Sequence, residues 1–479
     1  MDSLDLQFDQ LHEECGVFGI YGSDEAAVLS ALGLHALQHR GQEAAGIVSC
    51  RNQDFYCHHD NGHVGDIFND AKITKKLPGN IAIGHVRYST AGKKNTNNSQ
   101  PIFAELSFGG LAIAHNGNIT NALTLKNQLI KEGAIFNSIM DTEVILHLIA
   151  KSKINNIEGK IIDALNKIKG AYSLAFLCNE SLIAVRDPSG IRPLILGKLN
   201  DSYIVASESC ALDIIGANFI RDIKPGEMII INQDGLNSYS PFQKAKSKFC
   251  IFEYIYFARP DSIIDDKSVY KVRKNIGKIL SKENPVDADI VVPVPDSGVP
   301  AAMGYSEHSK IPFEYGIIRN HYVGRTFIEP TDNIRNFGVK LKHNANKSVI
   351  EGKKVVLVDD SIVRGTTSKK IVDMLKSCGA KEIHMRISSP PTTHSCFYGV
   401  DTPDRKQLLA ANHNIEEIAN LIGVDSLSYI TLDGLYKALG YSKRDSSEPQ
   451  YCDACFSGDY PIELEDKNQN LLPLLDKLK

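Results

Sequence analysis

The chain has 479 residues, 43% of them hydrophobic and 23% charged, with a formal net charge of −4. That is the composition of a globular protein, with length for about two to four domains. The small net charge gives no sign of a nucleic-acid or membrane surface, and no apolar run is long enough to span a bilayer.

The first residues, MDSLDLQFDQLHEE, are acidic and contain no apolar core, so they are not a secretory signal. The ten Cys are scattered. Without a signal this points to reduced thiols, catalysis or metal binding, and to a cytoplasmic protein. A strand, CGVFGIYG, begins at Cys15, and a helical stretch follows at roughly 25–40. HRGQEAAG places Arg40 in a turn after that helix. Further strands are predicted at AAGIVSC, at NIAIGHVRYS (ending in Arg87) and at LAIAHNG (ending in Asn116 and Gly117). MDTEV puts Asp141 at the start of a helical region, roughly 140–168, and the strands YSLAFLC, LIAVRD, YIVASES and EMIIIN come after it. Many strands with few interspersed helices predict an α+β layered domain up to about residue 245. The polar, basic segment NSYSPFQKAKSK (237–248) reads as a linker.

Beyond the linker, strands alternate with helices. ADIVVPVPDSGVPAAMGYSE, KKVVLVDDSIVRGTTSKKIVDMLKSCGA and KEIHMRIS predict an α/β domain with a parallel sheet. Residues 403–440 carry helical periodicity, and LLPLLDKLK reads as a short terminal helix.

Val355–Ser368 is the most informative stretch. An apolar strand ends in Asp359 and Asp360, and small or hydroxylated residues (Ser361, Gly365, Thr366, Thr367, Ser368) lead into a helix. A helix N-terminus behind a loop rich in backbone N–H groups cradles phosphate. Paired carboxylates suit ribose hydroxyls, or a magnesium ion carried by a diphosphate. A plain strand-to-helix turn with an Asp N-cap accounts for one Asp and a Ser but not for the rest. VPVPDSGVPAA repeats the strand–loop–helix pattern, with Ser297 and Gly298 at its turn. Between the two loops lie IIRNHYVGRTFIEP and RNFGVKLKHN, whose Arg319, His321, Arg325, Arg335, Lys340 and Lys342 suit a lid over a polyanion. Taken one at a time, these cations would otherwise belong to a solvated face, Asn-Gly to an ordinary turn and Asp141 to a helix cap.

These stretches resemble two known families. VVLVDDSIVRGTTS resembles the phosphoribosyl diphosphate (PRPP) loop of type I phosphoribosyltransferases. Cys15, HRGQEAAG, GHVRYSTAG, AHNGNI and MDTEV, in that order, resemble the glutaminase domain of N-terminal-nucleophile amidotransferases. Together they resemble the iron–sulfur branch of the amidophosphoribosyltransferases over residues 15 to about 460. The resemblance implies a four-layer αββα N-terminal-nucleophile domain (15–245) after a removable propeptide (1–14). A phosphoribosyltransferase domain (246–460) and a C-terminal tail (461–479) complete the chain.

The resemblance also implies roles. Cys15 is the nucleophile, with its own freed α-amine as base, and the side chain of Asn116 and the N–H of Gly117 bind the oxyanion. Arg87 and Asp141 bind the glutamine α-carboxylate and α-ammonium. PRPP is bound by Asp359, Asp360, Ser361, Arg364, Gly365, Thr366, Thr367, Ser368, Arg325 and Lys340. One Mg²⁺ per subunit sits at Ser297, Asp359 and Asp360. One [4Fe–4S] cluster per subunit sits on Cys250, Cys396, Cys452 and Cys455, with purine nucleotides as inhibitors and a homotetramer as the assembly. Four thiolates by themselves suit zinc as well as iron–sulfur. Two rivals remain: a sugar isomerase with the same glutaminase half, which would have no need of VVLVDDSIVRGTTS, and a regulatory PRPP- or nucleotide-binding protein with an inactive glutaminase half.

Overall fold

The computed structural model describes residues 12–13, 15–87, 98–178, 180–320 and 343–468. Two antiparallel sheets make the first half. One has seven strands in the spatial order Asn218–Asp222, Ile195–Leu199, Ser202–Ala206, Cys15–Tyr21, Ile81–Arg87, Ala44–Arg51 and Asp54–Asn61. The other has six: Gly235–Tyr239, Met228–Asn232, Ser181–Arg186, Gly170–Cys178, Gly109–Ile119 and Ile102–Leu106. Their inner faces meet in one apolar layer that includes Val17, Val48, Ile83, Ala112, Ala175 and Ala184. The helix Ala26–Ala36 covers the outer face of the first sheet. Thr142–Lys151 and Ile157–Leu165 cover the second. This is the expected αββα stack.

Strand Cys15–Tyr21 is buried along nearly its whole length because sheet and helix cover both of its faces. Its glycines make room for that packing. A Cβ on Gly19 would lie 2.9 Å from Leu182 Cδ1, in the facing sheet.

The second half holds a parallel sheet in the order Ile290–Pro293, Lys354–Asp359, Glu382–Ile387 and Ser426–Tyr429. KVVLVD is an almost continuous apolar run, as a strand covered on both faces requires. Val299–Ser309 and Thr366–Ser377 are the helices that follow its two ligand-type loops. Among the described residues no helix is long and apolar enough to cross a membrane.

Several sequence expectations need correction. The segment read as a linker begins as the edge strand Gly235–Tyr239. Part of it then returns to the first half, where the Lys248 and Cys250 amides donate to Ser189 O and Ile191 O at 2.7 and 3.1 Å. The region 140–168 is two helices rather than one. The helical tail contains the fourth parallel strand, SLSY. Residues 463–466 grip the first half: the Asp466 carboxylate accepts from the amides of Leu123 and Thr124 at 2.8 and 3.1 Å, at the start of helix Ala122–Lys131. The predicted terminal helix LLPLLDKLK, the lid residues His321, Arg325, Arg335, Lys340 and Lys342, and most of the leader lie outside the described residues.

Candidate functional site

Strand register brings the first group together. Cys15 and Arg87 are direct partners across adjacent strands, and Arg87 is also paired with Ala44 of the next strand. Asn116 and Gly117 do not end their strand, as the sequence suggested, but lie within Gly109–Ile119. Gly117 has φ +147°, and a Cβ there would stand 2.0 Å from Ala171 O. Only glycine fits, and the plain-turn reading of Asn-Gly fails.

Asn116 is fully buried. Its amide reaches Ser207 Oγ at 3.4 Å, and the same hydroxyl accepts from the Val17 amide at 3.0 Å. Ser207, which the sequence reading passed over, thus ties Asn116 to the strand of Cys15. The other amide atom of Asn116 has no hydrogen-bond partner among the described residues, nor do His85 Nδ1 and His115 Nε2 nearby in sequence and strand. With the Asn116 amide turned so that its oxygen accepts from Ser207, its N–H group is left available to a ligand.

Asp141 precedes helix Thr142–Lys151 without capping it. Its carboxylate instead accepts from the Ile119 amide at 3.0 Å and lies 3.5 Å from His115 Nδ1. Burial pushes this carboxyl up, but His115 and the backbone amides outweigh burial and hold it below the ordinary Asp value. It is an anion at neutral pH, at the end of the strand that carries Asn116 and Gly117. His85 is fully buried, and burial pushes its imidazole down to about 3, so it is neutral at working pH.

In the second half, Asp359 ends its strand, Asp360 follows it, and both are buried. Ser297 Oγ donates to Asp360 Oδ1 at 2.6 Å, Ser361 Oγ donates to Asp360 Oδ2 at 2.7 Å, and the Asp360 amide donates to Asp359 Oδ1 at 2.9 Å. The two loops singled out from sequence therefore meet at one carboxylate pair. Gly365 has φ +79° and a Cβ there would press on Leu409 at 2.7 Å, so glycine is required just before helix Thr366–Ser377. Thr366, Thr367 and Ser368 form that helix's first turn, whose amides point towards the loop. Arg364 donates to Gln407 Oε1 at 2.9 Å. Arg319 pairs with Asp296 at the other loop.

The four spaced cysteines influence one another electrostatically. Cys250 and Cys452 form an isolated parallel bridge. The Tyr398 amide lies 3.3 Å from Cys396 Sγ. Burial, then Cys250, Cys396 and Cys452, raise the Cys455 thiol. Burial, then Cys250 and Cys396, raise that of Cys452. Burial pushes Cys250 up to about 12, with Arg192 opposing and Glu253 and Cys396 adding to it. Thiols raised in this way cannot be thiolates together without a cation among them. No three Cys, His, Asp or Glu side chains among the described residues stand ready to hold a metal ion.

The two halves touch at the site. Asn118 Nδ2 donates to Phe397 O at 2.9 Å, and a Cβ on Gly399 would lie 2.9 Å from Gly117 Cα. The loop that carries Cys396 thus rests on Gly117. After it, strand Val400–Asp401 pairs with leader residues His12 and Glu13. Burial raises the Asp401 carboxyl; Arg364, in the loop before helix Thr366–Ser377, opposes that shift and Glu43 adds to it. The Glu43 amide donates to Arg87 O at 3.0 Å. One carboxylate therefore feels both candidate sites. Neither Gly399 nor Asp401 carries a motif by which sequence could have found it.

A glutamine amidotransferase domain family matches residues 85–213, and a phosphoribosyl transferase domain family matches 261–388. The chain is 57% identical over 469 residues to an amidophosphoribosyltransferase of Rhizobium etli, covering 97% of this chain and 95% of that one. It is 48% identical over 455 residues to an amidophosphoribosyltransferase of Bacillus subtilis, covering 95% of each. The solved structure of glutamine PRPP amidotransferase from B. subtilis, complexed with ADP and GMP, superimposes with a TM-score of 0.90 at 47% identity, over 96% of this chain and 99% of that one. A second solved structure, described as the allosteric regulatory enzyme of purine biosynthesis, has a TM-score of 0.91 at 46% identity, over 96% of this chain and 98% of that one. With both domain types in one chain and identity of this order along almost its whole length, the chain belongs to the amidophosphoribosyltransferase family.

Proposed function

We propose that this chain converts glutamine, PRPP and water to 5-phosphoribosylamine, glutamate and diphosphate, the first committed step of purine synthesis. The observation that carries the reading is the contact between halves: the loop through Cys396 and Gly399 lies on Gly117.

In this reading residues 1–14 are removed, and the boundary between the catalytic domains lies near residue 245. The freed α-amine of Cys15, with an ordinary pKa of about 7.7–8.0, takes the thiol proton. The sulfur attacks the side-chain amide carbon of glutamine. Asn116 Nδ2 and the Gly117 amide donate to the oxyanion. The α-amine returns its proton to the leaving ammonia, and water then cleaves the thioester. Arg87 pairs with the α-carboxylate of glutamine. Asp141, held ionised by His115 and backbone amides, pairs with its α-ammonium.

Ammonia attacks C1 of PRPP as the bond to diphosphate breaks. The Thr366–Ser368 amides and hydroxyls hold the 5-phosphate, and Asp359 and Asp360 face the ribose hydroxyls. Arg364, with Arg325 and Lys340 of the lid, faces the phosphates. Two buried carboxylates met mainly by neutral hydroxyl and amide donors suit a divalent cation. Ser297, Asp359 and Asp360 would hold one Mg²⁺, which when bound neutralises charge on the departing diphosphate.

Cys250, Cys396, Cys452 and Cys455 would hold a [4Fe–4S] cluster, a choice over zinc that rests on the resemblance to the iron–sulfur branch. Its role would be structural, fixing the Cys396–Gly399 loop against Gly117. Purine nucleotides as inhibitors, a homotetramer and a cytoplasmic setting complete the proposal. The ADP and GMP named with the B. subtilis structure support the first of these.

An assay of diphosphate release tests the reading. Release should require both glutamine and PRPP, whereas a regulatory PRPP-binding protein would bind PRPP without turnover. Anaerobic purification should give about four iron atoms per chain. Zinc in their place would overturn the cluster assignment, and an intact Met1 on active enzyme would overturn the free-amine mechanism.

A further inference from the structure

Four charged side chains at the boundary between halves are completely buried: Arg40, Arg192, Glu208 and Glu253. They form one neutral cluster. Arg40 donates to Glu208 Oε1 through Nε, and to Glu253 Oε2 through Nη2 at 2.7 Å. Arg192 Nη2 lies 3.1 Å from Glu253 Oε1. The carboxylates cross the boundary in opposite directions. Glu253 belongs to the sugar half and receives two guanidinium groups from the glutaminase half. Glu208 belongs to the glutaminase half and accepts from the Arg259 amide and Ser262 Oγ of the sugar half at 2.9 and 2.7 Å. His39 Nε2 stands 2.6 Å from Glu208 Oε1.

Desolvation costs such a cluster most of its Coulombic gain, so its main contribution is a fixed geometry rather than stability. What it fixes is the wall behind the nucleophile. A Cβ on Gly16 would meet Arg40 Cδ at 3.3 Å, so the Arg40 stem packs against the residue after Cys15. A Cβ on Gly41 would lie 2.5 Å from the Arg87 amide nitrogen. Arg40–Gly41 is therefore wedged against both strands whose register sets Cys15 opposite Arg87. Both Arg40 and its loop are glutaminase residues, yet one of the two carboxylates that hold the guanidinium comes from the π-helical turn Glu253–Phe257 of the other half.

We propose that Glu253 is a positioning residue for the glutamine half-reaction: from the sugar domain it holds Arg40 against the Cys15–Gly16 backbone. The proposal rests on Cys15 being the nucleophile. Glu253 touches no substrate; it acts through Arg40. Displacement of reacting atoms by about 1 Å costs on the order of 100-fold in rate.

The test is Glu253→Gln, which keeps shape and loses charge, beside Arg192→Leu/Glu253→Gln, which removes one charge of each sign and leaves the cluster neutral. Both are assayed with glutamine and, separately, with ammonium chloride as nitrogen donor. In both variants kcat with glutamine should fall about 10- to 100-fold, the glutamine KM should change less than about threefold, and alkylation of Cys15 by iodoacetamide should slow. Ammonia-dependent synthesis should stay within about twofold of the parent. Full glutamine activity in either variant overturns the proposal, as does a parallel fall of both activities, which would mark Glu253 as part of the scaffold only. Cys15→Ala as a control separates the two readings: if it retains glutamine activity, the nucleophile assignment has failed rather than the role of Glu253.

Discussion

Replacing Cys15 with Ala should abolish glutamine-dependent synthesis, by about 10⁴-fold or more, and leave ammonia-dependent synthesis nearly intact. The split follows from the architecture. Cys15 opens a strand of the antiparallel half and faces Arg87 across the ladder, whereas the carboxylate pair Asp359–Asp360 lies at the end of a strand of a separate parallel sheet. Nothing in the second group of residues needs the thiol. Loss of the sulfur removes the atom that attacks the amide, and the oxyanion donors Asn116 and Gly117 have no intermediate to hold. Ammonia from solution bypasses that half. The measurement is the rate of diphosphate release with saturating glutamine, then with ammonium chloride at mildly alkaline pH, where part of it is free ammonia. If glutamine activity persists, Cys15 is not the nucleophile. If both activities vanish, the halves are not separable in the way proposed.

Asp360→Asn should lower both activities together, by roughly 10²- to 10³-fold. Asp360 is buried, and both of its oxygens accept hydroxyl hydrogen bonds, from Ser297 and Ser361. Asparagine keeps the shape but turns one acceptor into a donor against a serine hydroxyl. It also removes a negative charge that a cation-bearing diphosphate would meet. The glutaminase strands lie elsewhere, so alkylation of Cys15 by iodoacetamide should proceed as in the parent. Steady-state rates with glutamine and with ammonia, each titrated with Mg²⁺, check this. Ammonia-dependent turnover within about threefold of the parent would remove Asp360 from the sugar site.

How legible these sites were depended on how local each signal was. VVLVDDSIVRGTTS is contiguous, and strand, carboxylates, loop and helix start appear where the pattern placed them. Asn116 and Gly117 were found as a motif but misread as the end of a strand. Glycine at φ +147° lets the ladder continue past a point where other residues would stop it. The strand SLSY was hidden because four residues between helices carry too little period-two pattern to be seen. The edge strand Asp54–Asn61 is mostly polar and open to solvent, so it lacked the apolar alternation that marks a strand.

Glu253 left a faint trace in the sequence. A lone acid inside the apolar run FCIFEYIYF must either face water or find a buried cation, but nothing local says which. Its partners Arg40 and Arg192 lie far away in the chain, in the other half, and only the fold brings them to it.

The sequence by itself determined the two groups of residues on which the proposed chemistries rest: Cys15 with the Arg87, Asn116–Gly117 and Asp141 motifs, and a strand–loop–helix stretch with paired carboxylates. Each is written in short segments whose backbone form follows from local patterning, so they could be read before any contact was known. Tertiary structure alone decided how the two are joined. It laid the Cys396–Gly399 loop on Gly117 and buried Arg40 between two carboxylates from opposite halves. The physical reason is that burial and long-range pairing depend on which surfaces meet when the halves pack, and residues hundreds of positions apart carry no mutual signal along the chain.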